Sequence, residues 1–236
     1  MDFITLQKKI KELDLEVFTL NDLVKTTGQK KEVLKSTLTR LVKQKKLVRI
    51  KKNYYSLSQI QNKFKLQQVF HETYIALYSA LEYYQSTTQR YNNLDLITNK
   101  LLKTQKVNQT TIKFHKVKNK FFFGFVKVNI NNSQVFISNI EKTIIDCVYF
   151  SSKMYLTDIN DFINKYKHEI DLELLTVYLK KINSGILNKR IGYLLELNGL
   201  EIKDLKFGNK YQKLNMNRKE TKIKNSKWKL LINEEL

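Results

Sequence analysis

Proline is missing from this sequence, although average usage would place about twelve in 236 residues. With lysine, asparagine and isoleucine abundant, that absence marks an AT-rich genome rather than a fold. Cysteine occurs once, at Cys147, so no disulfide can close within the chain, and a reducing cytoplasm is the expected compartment. The three histidines, His71, His115 and His168, lie far apart in no ligand spacing, so no zinc site is expected. There is no Gly-rich phosphate loop and no Gly-x-Ser-x-Gly elbow. We therefore expect no cofactor, no metal and no catalytic residue. No apolar run approaches the length of a membrane span and no apolar signal segment opens the chain, so no membrane association is expected. Acidic residues are absent from Lys100 to Ile140, a window that holds eight lysines.

What is present points to a folded, basic protein. A hydrophobic fraction of 42% argues against disorder, and the length suffices for one large domain or two ordinary ones. A net charge of +21 calls for a polyanionic partner, nucleic acid or anionic membrane, without distinguishing DNA from RNA. Residues 1–57 hold 14 basic and 6 acidic side chains, so the remainder of the chain is basic as well.

The segment that organises this reading is Lys30–Lys43. Leu34, Leu38 and Leu41 share one helical face, while Lys31, Lys35, Ser36, Thr39, Arg40 and Lys43 occupy the other. Such a helix can bury its leucines and lay its polar face in a major groove; an amphipathic surface helix with a solvated face has the same pattern. The flanks add context. Val17–Thr19 is a short strand candidate, and Leu20–Lys25 a short helix. Thr26–Gln29 makes a turn with Gly28 at the left-handed position. Leu47–Ile50 and Tyr54–Leu57 then form a hairpin across Lys51, Lys52 and Asn53, with asparagine suited to a positive φ. Strand, helix, turn, basic helix and basic hairpin follow in the order of a winged helix-turn-helix. We expect residues 1–60 to bind double-stranded DNA through Lys30, Lys31, Lys35, Ser36, Thr39, Arg40, Lys43, Lys51, Lys52 and Asn53. Asp2–Leu13 should supply a further packing helix.

Residues 61–236 are expected to form a second, α+β domain with a small sheet and several helices. Phe64–Gln85 has the pattern of one long helix. Strands are expected at Leu94–Thr98, Thr110–Val117, Phe121–Ile130 and Gln134–Ser138, with Asn131–Asn132 as a hairpin signal. Ser138-Asn139-Ile140-Glu141 matches a capping box opening a helix to Phe150. Helices are expected at Asp158–Tyr166, Leu172–Ile182 and Ile186–Asn198, the last stopped by Gly199, and a final strand at Ser226–Asn233. Lys113, Lys116, Lys118 and Lys120 are candidates for further phosphate contacts, or for contact with an acidic protein. Glu141, Lys142 and Asp146 could be arranged as a nuclease site. The alternative is structural, with Glu141 capping the helix and Asp146 on its surface.

Four segments together resemble the AbiEi-type antitoxins of abortive-infection systems. They are the Tyr74–Tyr84 stretch, Ser138-Asn139-Ile140-Glu141-Lys142-Thr143-Ile144-Ile145-Asp146, Lys189-Arg190-Ile191-Gly192-Tyr193-Leu194-Leu195-Glu196 and Lys227-Trp228-Lys229-Leu230. The likeness covers nearly the whole chain, although relatives often carry a proline in the loop that here runs Ser86–Arg90. It implies a repressor of its own operon that also counters a nucleotidyltransferase-like toxin without a stable complex. The operator would be inverted repeats, bound by a homodimer. Alternatives are a plain transcriptional regulator whose second domain dimerises or senses a ligand, and a nucleic-acid enzyme.

Overall fold

The computed structural model describes residues 2–12, 16–58, 60, 62–87, 92–130 and 133–236. Leu13, the Asn131–Asn132 turn and the Thr88–Arg90 part of the loop lie outside them. Among the described residues the chain is α+β.

The first 58 residues build a module around their own apolar cluster. Its elements are α1 (Phe3–Glu12), β1 (Phe18–Thr19), α2 (Leu20–Thr27), α3 (Lys31–Lys43), β2 (Val48–Lys51) and β3 (Tyr54–Ser56). Leu6, Ile10, Leu23, Leu34 and Leu38 are wholly buried within it. Thr19 starts α2 through a capping box: its hydroxyl accepts from Asp22 N–H at 3.1 Å, and the Asp22 carboxylate accepts from Thr19 N–H at 2.7 Å. Gly28 stops α2 with φ +66°, a conformation that a side chain would strain. The three strands pair antiparallel in the order β1-β3-β2. Asn53, at φ 68°, makes the turn between β2 and β3.

A six-stranded sheet forms the centre of the remainder. Its strands are β4 (Thr73–Ile75), β5 (Asn93–Thr98), β6 (Gln105–Val107), β7 (Thr110–Lys116), β8 (Phe125–Ile130) and β9 (Ser133–Ser138), in the order β6-β7-β5-β4-β9-β8. Pairs β5–β7 and β4–β9 are parallel. One face, carrying Tyr74 and Ile97, packs on α4 (Leu77–Tyr83), α5 (Ile140–Tyr149), α6 (Leu156–Tyr166), α7 (Leu172–Ile182) and α8 (Gly185–Leu197). The other, carrying Ile75, Leu94, Leu96 and Ile137, is covered by the 3-10 helix Lys63–Val69 and by Val17 and Ile50 of the first module. Coverage on both faces explains why β5 reads as a continuous buried run rather than an alternating one. A small sheet of β10 (Gln212–Lys213), β11 (Lys224–Asn225) and β12 (Leu230–Leu231) lies against α8, with Trp228 in the turn between β11 and β12.

Several expectations are corrected. Phe64–Gln85 is a 3-10 helix, a strand and a short α-helix, because Tyr74 and Ile75 bury opposite sides in the sheet. The Ser226–Asn233 strand is a tight turn followed by the two residues of β12. Asn139, not Ser138, caps α5, accepting from Lys142 N–H at 2.9 Å. Ser138 instead turns its hydroxyl to Thr143 at 2.7 Å. Glu141 does not cap its own helix: its carboxylate accepts from Asp171 N–H at 2.9 Å, tying α5 to the start of α7.

Candidate nucleic-acid interface

The polar face of α3 is positioned by what lies beneath it. Leu34, Leu38 and Leu41 anchor the helix, which leaves Lys30, Lys31, Lys35, Ser36, Thr39, Arg40 and Lys43 all exposed. Together with Glu32 and Gln44, most of them line a shallow open groove. Ser36 and Thr39 donate their hydroxyl protons to helix carbonyls, Val33 O and Lys35 O, both at 2.8 Å. Their lone pairs stay available to accept from a ligand. Among the described residues no carboxylate pairs with Lys31, Lys35, Arg40 or Lys43. Unpaired cations spaced along one exposed helix face suit a polyanion with regularly spaced charge.

The β2–β3 hairpin is only partly available. Lys52 and Asn53 are exposed at its tip. Lys51 folds back: its ammonium donates to Val69 O at 3.4 Å and sits 5.0 Å from the centre of the Phe70 ring. Tyr54 OH meets His71 Nε2 at 2.6 Å, and Lys65 pairs with Glu16. The hairpin is thus docked on the second part of the chain, and its outward cation is Lys52.

The lysines of the acid-free window do not form one surface. Strand alternation puts Lys113 and Lys116 on opposite faces of β7. Lys118 is exposed just before the 3-10 turn Asn119–Phe121, and Lys120 donates to Ile182 O at 2.6 Å.

Glu141, Lys142 and Asp146 do not assemble a nuclease site. Asp146 is fully buried instead of lying on the surface; it pairs with Lys142, also fully buried, and accepts from Tyr74 OH at 3.0 Å. Burial pushes the Asp146 carboxyl up and the Lys142 ammonium down, each shift opposed by the partner. It also holds the Tyr74 hydroxyl well above its ordinary range. The group braces the sheet against α5. Among the described residues no cluster of three or more histidine, cysteine or acidic side chains could hold a metal ion.

The Arg190–Glu196 segment and Trp228 are likewise structural. A Cβ at Gly192 would fall inside the Trp228 indole, so only glycine admits that ring. The indole N–H donates to Glu196 Oε2 at 2.6 Å, and Lys227 Nζ adds a contact at 2.7 Å. These donors hold the Glu196 carboxyl below its ordinary value. Arg190 donates to Lys213 O at 2.8 Å. Residues far apart in sequence therefore clip the small sheet to α8.

One constellation has no counterpart in the sequence reading. Asp95, His115 and Lys153 come together in a cleft, with His115 Nε2 at 2.8 Å from Asp95 and His115 Nδ1 at 3.3 Å from Lys153. The residues lie on β5, β7 and the loop after α5, so no local spacing announces them.

No family profile matches this sequence, and no curated protein is recognisably similar. In fold the chain is similar to the RV2827C protein from Mycobacterium tuberculosis, known from a crystal structure. The TM-score is 0.67 over 94% of this chain and 88% of that one, at 10% sequence identity. At that identity the likeness concerns the fold alone. Among the described residues no helix is long and apolar enough to cross a membrane.

Proposed function

We propose that residues 2–58 form a winged helix-turn-helix that binds double-stranded DNA, and that the protein is a transcriptional repressor of its own operon. The observation that carries this reading is the exposed, unpaired cationic face of α3 over an anchored leucine row. Arg40, Lys35, Ser36 and Thr39 enter the major groove, where arginine reads guanine through a bidentate pair. Lys30, Lys31, Lys43 and Lys52 hold phosphates without reading sequence. A homodimer would place two α3 helices on half-sites about 34–36 Å apart.

The AbiEi-type resemblance extends this proposal to an antitoxin that opposes a nucleotidyltransferase-like toxin without a stable complex. Its motif residues Lys142, Asp146, Gly192 and Trp228 are buried, and the exposed Glu196 is tied to the Trp228 indole. They support a shared fold more directly than a shared surface. The cleft around His115 favours a second reading, a regulator whose second part senses a ligand.

Footprinting of the full chain on DNA upstream of its own gene tests the repressor. Protection of an inverted repeat, abolished by Arg40→Ala in a folded variant, is the expected result. A footprint without sequence preference, or one unaffected by Arg40→Ala, would overturn it.

A further inference from the structure

We propose that the cleft between β5, β7 and the loop after α5 is a nucleotide-binding site. Two contiguous cavities, of about 400 and 520 Å³, share Tyr78, Lys153 and Met154 as their common wall. Both volumes fall in the range of small-molecule sites.

The smaller lobe is built for an anion. In the parallel register Asp95 lies beside Lys113 and Ile97 beside His115, which puts Asp95, Lys113 and His115 on one face of the sheet. The Asp95 carboxylate accepts a hydrogen bond from His115 Nε2–H, the tautomer that leaves Nδ1 to accept from Lys153. Asp95 and His115 are both nearly buried, whereas the Lys153 and Lys113 side chains are exposed at the cavity wall. A buried carboxylate therefore orients the imidazole, and the imidazole orients an ammonium that is free to swing onto a phosphate. Lys113 supplies a second cation from the strand.

The larger lobe has a different character. Tyr155 is 67% exposed and lines this lobe with Tyr78, so its ring face is open to stacking. Asn217 donates its amide to Ser152 O at 3.1 Å, which fixes that side chain and turns its carbonyl oxygen free to accept. Arg218 stands at the lobe's edge, 3.8 Å from Glu234. An aromatic ring to stack on and a fixed amide to hydrogen-bond suit a base, while Lys113, Lys153 and His115 in the adjoining lobe suit its phosphates. This assignment stands apart from the DNA-binding proposal, since none of its residues belongs to residues 2–58.

The test is calorimetric titration of the full-length protein with ATP, GTP, AMP, pyrophosphate and inorganic phosphate at physiological salt. Lys113→Gln, Lys153→Gln and Tyr155→Ala are compared with Lys35→Gln/Arg40→Gln, which removes cations from α3. The proposal expects saturable nucleotide binding, weakened about tenfold or more by each cleft variant and unchanged by the α3 variant. It also expects the His115 ring proton resonances to shift on nucleotide addition. The proposal is overturned by an absence of saturable binding, or by affinity that follows the α3 variant instead of the cleft variants. Pyrophosphate binding as tightly as ATP, with Tyr155→Ala silent, would overturn the base-binding lobe.

Discussion

Two groups of cations in this chain look alike in sequence and do opposite things. On α3, Lys31, Lys35, Arg40 and Lys43 project outward with no acidic partner among the described residues. On α5 and α8, Lys142, Lys189 and Arg190 are buried and satisfied, by Asp146, by Lys210 O and by Lys213 O. The difference is one of supply. Among the described residues the first module presents no acceptor to the α3 cations, whereas Lys142 meets Asp146 one turn along α5 and Tyr74 of β4, and loop and strand carbonyls reach Lys189 and Arg190 on α8. Outward cations can change affinity without touching stability, and inward ones the reverse.

The largest expected effect lies on the inward side. Asp146→Ala leaves Lys142 buried and unpaired and should cost about 3–5 kcal/mol, whereas replacing both with apolar residues should recover much of it. Urea denaturation of the single and double variants gives both values. Gly192→Ala forces a methyl into the Trp228 ring and should cost about 1–3 kcal/mol, read in the same way. A melting curve for Gly192→Ala that overlays wild type would mean the indole does not occupy its notch.

The outward side is sharpened by Arg40→Ala, which should lose about 1–3 kcal/mol at a specific DNA site with no change in thermal unfolding. The hairpin tests the contrast within two adjacent residues. Lys52→Ala should reduce the slope of log K against log salt by about one, with stability unchanged. Lys51→Ala should leave that slope alone and lower stability by about 0.5–1 kcal/mol, since its ammonium lies over Phe70. Equal slope changes from both lysines would erase the distinction drawn at the hairpin.

The smallest effect is a pH dependence. Glu196 has a folded pKa below its ordinary 4.5, owing first to Lys227 and then to Trp228. Its stabilising contribution is present above the ordinary value and is lost as pH falls through the depressed folded one. Emission from Trp228, the single tryptophan, should shift in that acid range, and Glu196→Gln should flatten the response.

How far the sequence foretold this molecule depended on where each residue's partner lies. The α3 pattern, the Gly28 turn, and helices α6 to α8 rest on spacing and on stop signals within a few residues. Thr73–Ile75 was illegible because three residues are too few to show alternation and both faces are covered, so an apolar run passed for helix. Asp146 was misplaced because a carboxylate in a helix is seldom buried unless paired, and its tyrosine partner stands 72 residues away. The Thr19–Asp22 capping box is legible in its Thr-x-x-Asp spacing. His115 has no partner near it in sequence, since Asp95 and Lys153 stand on another strand and a loop.

Val17, Ile50 and Lys51 belong at once to the first module and to the cover of the sheet. That shared ownership limits how freely the two parts can be exchanged between proteins. A chimera joining this second part to a different N-terminal module would keep the Lys63–Val69 cover but leave the Leu94 and Leu96 face partly open unless the graft reproduced Val17, Ile50 and the Glu16–Lys65 pair. On the proposed function, the exposed face of α3 can be altered without disturbing the cover of the sheet, whereas the back of the hairpin cannot. The recognition face and the docking face, separated by the thickness of one small module, are under different rules of change.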